Sequence, residues 1–254
     1  MGLWYYGREV IGVAYFVFMI DLVDSRKMSG DVRRESQARL KEAKNAVNKF
    51  LAGSARLEFS SGDSLQGHTD NAALALRICL LVVFLMHPYE MHCGIGAGEI
   101  YVLDDESTNA SDGPAYHDAV KSLAQSKDEA RELVVHTGSN LDEMINCLLS
   151  SVQMIRGNNT EKQNLYVAFL AVASLSKRDA ELMTAARFLF DGDVPPPDLT
   201  AGDGKDLKNY TVQYFHHLFG TTAQNVYAML KKSNAEFIAG AYLTCIRYLT
   251  DYGR

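Results

Sequence analysis

The sequence is poor in the residues that would staple, anchor or charge it. Its 254 residues hold four cysteines, Cys79, Cys93, Cys147 and Cys245, far apart and without metal-ligand spacing. This excludes a disulfide framework and predicts reduced, mostly buried thiols in a cytoplasmic protein. No apolar run is long enough to cross a bilayer: Ala75 to Met86 is strongly apolar but short, and Arg77 interrupts it. The first residues are apolar and aromatic, with Arg8 and Glu9 among them. They lack the basic start and small-residue cleavage site of a signal peptide, so no membrane partner is expected. Positive charge is not in excess either. The formal net charge of -6 makes no general demand for nucleic acid, although a local basic patch can still bind it. There is no internal repeat and no low-complexity tract.

What is present is enough apolar residue, 47%, for a sizeable core. The chain is organised around Tyr15 to Lys27. A short unbroken apolar run, Tyr15 to Ile20, suits a strand buried on both faces, and it stops at Asp21. A carboxylate in that place is costly unless exposed, paired or bound to a cation, which makes Asp21 a candidate site residue; otherwise it starts a turn.

Further along, apolar residues at helical spacing predict an amphipathic helix from Asp31 to Leu51. Leu57 to Ser60 alternates like a strand and leads into a Gly-bounded turn, Ser61 to Gly67, with Asp63 at its tip. Asn71 to Leu85 reads as a more buried helix ended by Pro88. His92 to Val102 reads as a strand with glycine at alternate positions, which marks close approach of another backbone or of a ligand. Asp104 to Asp112 is a polar loop, a helix runs from Gly113 to about Ser126, and Leu133 to Thr137 is a further strand. The expectation is an α/β (α+β) domain over residues 10–138, with a mixed, mainly antiparallel sheet and helices on one face.

Residues 139–254 predict an all-α domain. Leu141, Ile145, Leu148, Leu149, Val152 and Ile155 lie on one helical face, Thr160 starts another helix, Ala180 to Phe190 is a third, and Gly192 to Gly204 is a linker. Leu207 to Phe219 and Thr222 to Ser233, parted by Gly220 and Thr221, suggest helix, turn, recognition helix, and Phe237 to Tyr252 closes the chain. Thr222, Gln224, Asn225, Lys231 and Lys232 offer polar and basic groups suited to base edges or phosphates. The alternative is a helical bundle packed on the first domain or on a second subunit.

If the strands carrying Asp21 and Asp63 are neighbours, two carboxylates meet at one sheet edge. Hard oxygen ligands of this kind suit Mg2+ or Mn2+, which also bridge substrate phosphates. Asp24 either joins that ligand set or caps the next helix. Ser25, Arg26 and Lys27 either donate to phosphates or form a solvated basic turn. Glu99, beside the glycines, either lines the site or is a simple exposed position. The competing reading is two unrelated turn aspartates.

Four segments, Ile20 to Lys27, Gly62 to Gly67, Gly94 to Tyr101 and Asp112 to Tyr116, resemble in order and spacing the conserved blocks of the SatD family, whose members carry an N-terminal domain followed by a helix-turn-helix. The N-terminal blocks in turn resemble class III nucleotidyl cyclases, with their palm-like fold. That resemblance implies metal ligation by Asp21 and Asp63, and nucleotide contacts from Leu22, Val23, Ser25, Arg26, Gly62 and Gly113. His117 and Lys121 fall where cyclases place the Asn and Arg that position ribose and stabilise the transition state. Lysine keeps the charge but loses the planar fork, which leaves nucleoside triphosphate binding in place and puts cyclisation in doubt. Any turnover implied is magnesium-dependent phosphoryl transfer of the cyclase kind. Cyclases build their site across a dimer, so a homodimer is implied too. In the helical part, Thr160 and Gln163 match the family's Thr-x-x-Gln start, while residues 173–206 diverge. The expected function is therefore nucleotide binding that signals to a helix-turn-helix; the alternative is a non-catalytic DNA-binding regulator with the cyclase-like domain as dimerisation or sensor module.

Overall fold

A computed structural model describes residues 15–51, 55–101, 108–159 and 221–252. The helices expected at Thr160, over 180–190 and over 207–219, and the linker 192–204, lie outside these residues. The described elements begin with β1 (Tyr15–Leu22), α1 (Gly30–Leu51), β2 (Arg56–Ser61), β3 (Ser64–Thr69) and α2 (Ala72–Met86). They continue with β4 (Met91–Gly98), α3 (Pro114–Asp128), β5 (Leu133–His136), α4 (Asp142–Gly157), α5 (Ala223–Lys232) and α6 (Ala235–Tyr252). Up to β5 the order matches the expectation. The expected turn over 61–67 is narrower: only Gly62 and Asp63 turn, and β3 begins at Ser64.

β1 is central because it is apolar on both faces. The five-stranded sheet runs β2-β3-β1-β4-β5. β1 is antiparallel to β3 and β4, β2 is antiparallel to β3, and only β4 and β5 are parallel. Alternation along β1 sends Phe16, Phe18, Ile20 and Leu22 into the main core with α1 and α2. It sends Val17 against Ala115, Tyr116 and Ala119 of α3, with Met19 beside them. Helices therefore cover both faces of the sheet, not one as the sequence suggested.

The reason lies in β4. A Cβ on Gly96 would sit 2.2 Å from the Ala119 nitrogen, and one on Gly94 2.3 Å from the Leu123 nitrogen. The alternate glycines accommodate the backbone of α3, which resolves the two readings of that strand in favour of a second backbone.

α2 is buried on nearly every side, as befits a helix that is apolar all round. Its neighbours are α1, the sheet and α6, and the Asn71 side chain caps it by accepting from Leu74 N at 3.1 Å. α6 packs on α2 and α4, placing Ile238, Tyr242, Cys245 and Leu249 in the same buried cluster as β1. The core thus continues across residue 138. Both sheet edges end on an asparagine. Asn48 of α1 exchanges two hydrogen bonds with the backbone of Leu57, each 2.8 Å. Asn146 of α4 does the same for Val135, again at 2.8 Å. The edge strands are thereby closed to further pairing at those positions.

Candidate functional site

The candidate site lies where β1 runs out. Asp21 stands opposite Ser64 of β3 and His92 of β4. It belongs to the row of β1 that faces α3, and Lys127 Nζ of that helix reaches its Oδ2 at 2.5 Å. Ser64 Oγ donates to Oδ1. The Asp21 side chain is only 17% exposed, so both oxygens are engaged within the fold.

This contact follows from the glycine seam. α3 lies along β4 in the opposite direction: Gly98 meets Ala115, Gly96 meets Ala119 and Gly94 meets Leu123. Four helical residues rise about 6 Å and two strand residues about 6.6 Å, so the two stay in step. The next step pairs position 92 with the turn holding Ser126 and Lys127. His92 Nδ1 lies 3.0 Å from Ser126 Oγ and 2.8 Å from the Arg131 carbonyl. A carbonyl only accepts, so Nδ1 carries the hydrogen. Since His92 is opposite Asp21, Lys127 arrives at that carboxylate. The sequence reading missed Lys127; the row Ala115, Ala119, Leu123, Lys127 at four-residue spacing was the signal.

Asp63 occupies the two-residue turn between β2 and β3. Its carboxylate accepts from Ser25 Oγ on Oδ2 and from Ser61 Oγ at 3.2 Å on Oδ1. The Ser25 hydrogen bond is the main cause that holds its pKa below the usual carboxylate value; burial opposes this, and Ser61 and the field of Arg33 on α1 add to the lowering. Asp63 is thus held by serine hydroxyls, whereas Asp21 is held by Lys127 of α3 and by Ser64. Asp24 has a left-handed backbone, φ 51°, and pairs at its surface with Lys27 at 2.8 Å. It makes no side-chain cap to the 3-10 turn Ser25–Lys27 that follows.

The remaining expected residues spread around this end. Leu22 is core, and its N–H donates to the Asp63 carbonyl at 3.2 Å. Val23 N–H donates to the Glu90 carbonyl at 3.0 Å. Ser25 is buried on Asp63, while Arg26 and Gly62 are exposed. Gly113 opens α3 at φ 146°, and a Cβ there would lie 2.6 Å from the Glu99 carbonyl oxygen. Its glycine identity therefore has a packing cause. His117 and Lys121 sit on the solvent side of α3, paired with Asp112 at 3.1 Å and Asp118 at 2.8 Å. Within the described residues of this chain they are not brought to Asp21.

This arrangement does not fit a divalent ion held between the two carboxylates. Each carboxylate has its own partners. Among the described residues, no group of three or more His, Cys, Asp or Glu side chains could hold a metal ion. Beside the same end opens a cleft of about 640 Å³ whose lining includes Val23, Phe84, His92, Arg131, Met154 and Arg156. On its wall Arg156 Nη1 meets Glu132 at 2.6 Å, and its guanidinium lies 5.0 Å from the Phe84 ring centroid.

On α5, Thr222 caps the helix, its Oγ1 accepting from Asn225 N at 3.2 Å. Gln224, Asn225, Lys231 and Lys232 are exposed. The preceding helix that would complete a helix-turn-helix lies outside the described residues. None of the described helices is long and apolar enough to cross a membrane.

Comparison with known proteins adds the family and a fold likeness. One solved structure, of a bacterial light-regulated adenylyl cyclase, resembles the chain with a TM-score of 0.39 and 13% identity, over 48% of this chain and 74% of that one. None of the curated proteins compared with the chain matches it. The SatD family (SatD) matches residues 15–181, more than half of the sequence and every block at the end of β1, and the chain belongs to that family.

Proposed function

We propose that this SatD family protein binds a nucleotide at the end of β1 and passes occupancy to its C-terminal helices. The observation that carries this reading is the placement of two complementary features at one sheet end. The basic turn Ser25–Lys27 is pinned by the bond from Ser25 to Asp63. The cleft begins at Val23, two residues before that turn. A polar, cationic turn suits phosphates, and a cleft within the range of about 300–1,000 Å³ suits a small organic group. Signal transfer has a route, because the cleft is walled by α2 and α4, against which α6 packs. Binding rather than turnover is favoured: His117 and Lys121 stand where the cyclase resemblance would need Asn and Arg.

The test is isothermal titration of the full chain with each ribonucleoside triphosphate, alone and with magnesium. The expected result is heat with at least one of them, weakened at least tenfold in Ser25→Ala/Arg26→Ala. No heat with any triphosphate under either condition overturns the reading.

The exposed polar edge of α5 favours a second reading, DNA contact through Gln224, Asn225, Lys231 and Lys232. Its signature is binding by the full chain that weakens steeply with salt and is lost in Lys231→Ala/Lys232→Ala. Binding unaffected by that double substitution removes it.

A further inference from the structure

We infer that Lys127 is the built-in counter-ion of Asp21, taking the place that a divalent cation would fill, so that the site receives its ligand without a metal at this carboxylate. The inference rests on the nucleotide-site reading for its meaning but not for its test. Four observations carry it. Lys127 Nζ lies 2.5 Å from Asp21 Oδ2, a full charge-assisted contact. Ser64 donates to the other oxygen, so each carboxylate oxygen already has a partner within the fold. The lysine is delivered by a rigid seam: Gly98, Gly96 and Gly94 against Ala115, Ala119 and Leu123, with Lys127 one step on. Finally, Asp63 and Asp24, the carboxylates a metal site would recruit, have serine hydroxyls and the exposed Lys27 as partners, so Lys127 on Asp21 is the cation a metal would have to replace.

The chemistry of the two cations differs in ways that matter here. A magnesium ion demands near-octahedral oxygen ligands at about 2.0–2.1 Å, and it gives up its bound water reluctantly. An ammonium group needs one carboxylate and brings three donors, of which Asp21 uses one. Lys127 is 44% exposed, so its other donors can face solvent or the oxygen of a phosphate. It also lies in the last turn of α3, where a cation is favoured by the helix dipole. A divalent ion approaching Asp21 would meet the Lys127 ammonium already on Oδ2, and the like-charge repulsion disfavours its binding there.

The experiment is a Mn2+ titration of the full chain, followed by electron paramagnetic resonance of the free ion. Wild type, Asp21→Asn, Lys127→Met and Lys127→Met/Asp21→Asn are compared. Wild type and Asp21→Asn are expected to give the same curve. Lys127→Met is expected to gain Mn2+ affinity at least tenfold, and the gain is expected to disappear in the double variant. The inference is overturned if wild type binds Mn2+ in a manner that Asp21→Asn abolishes, or if Lys127→Met gains nothing. Should Lys127→Met fail to fold, the wild-type and Asp21→Asn comparison still decides. Lys127→Arg, which retains a cation, is expected to follow wild type. Failure of the nucleotide reading shows itself separately, as absence of triphosphate heat, and leaves the Mn2+ result standing.

Discussion

Ser25 and Ser61 take both oxygens of Asp63, and this sets the acid behaviour of the turn. The pKa of Asp63 is lowered in the fold from its ordinary 3.8. Its contribution to stability is then fully present above the unfolded value and is lost as pH falls through the lower folded value. Ser25→Ala removes the largest cause, so its urea midpoint should fall below that of wild type at pH 7, with the gap closing as pH drops below about 4. His68 acts in a higher window. Burial lowers its pKa from 6.5, opposed by the charge of Glu58. Its Nδ1 lies 3.0 Å from the Tyr116 hydroxyl, which donates to the Thr108 carbonyl at 3.1 Å. The unfolded chain therefore binds the His68 proton more readily, and stability should decline as pH falls below 6.5 toward the folded value. His68→Asn should flatten that part of the profile, read as urea midpoint between pH 7.5 and pH 5.5.

At the scale of elements, the seam between β4 and α3 is the least forgiving contact. A methyl group on Gly96 would meet the Ala119 nitrogen at 2.2 Å and the Ala115 oxygen at 2.3 Å, both backbone atoms. Neither can swing aside, so Gly96→Ala must lift the helix. The expected cost is about 3 kcal/mol, the upper part of the overpacking range, measured by urea unfolding. The substitution should also weaken the Asp21–Lys127 pair, because the same seam sets its register. The edge caps make a different prediction. Asn146→Ala leaves the N–H and C=O of Val135 without their 2.8 Å partners, and should cost roughly 1–3 kcal/mol where water does not replace them. The order of strands and helices through β5 was legible because their periods differ. The packing of α3 was not: alternate glycines announce a close neighbour without naming it, and only the row Ala115, Ala119, Leu123, Lys127 identifies which helix face descends. The places of Asp21 near a strand end and of Asp63 in a turn were legible. That the two carboxylates take separate partners was not, because which groups reach a carboxylate depends on the tertiary placement of residues such as Ser25 and Lys127.

For the whole molecule the question is whether residues 139–254 stand apart from the sheet. The helical periodicity of α4 showed an apolar face, but a face does not state its partner. In the structure α6 lies on α2 and α4, and Ile238, Tyr242, Cys245 and Leu249 join the cluster that contains Phe16, Phe18 and Leu76. Tyr242 and Glu132 share the guanidinium of Arg156. Tyr242 is fully enclosed, and burial raises its hydroxyl pKa well above 10.0 despite the neighbouring cation. The phenol therefore stays neutral and acts as a hydrogen-bonding tie between α6 and α4. A fully buried Leu or Ile contributes about 1.5–3 kcal/mol over its exposed state, so Ile238 and Leu249 of α6 supply a sizeable share of the net stability of a typical domain, about 5–15 kcal/mol. Their loss also opens one side of α2, a helix with no polar face to present to water. A chain ending at residue 159 should therefore lose its near-ultraviolet circular dichroism and cooperative urea transition, while Tyr242→Phe in the full chain should keep both with a modestly lower midpoint. If the shortened chain unfolds with a native-like cooperative transition, α6 is a docked accessory. If it does not, sheet and C-terminal helices are one folding unit.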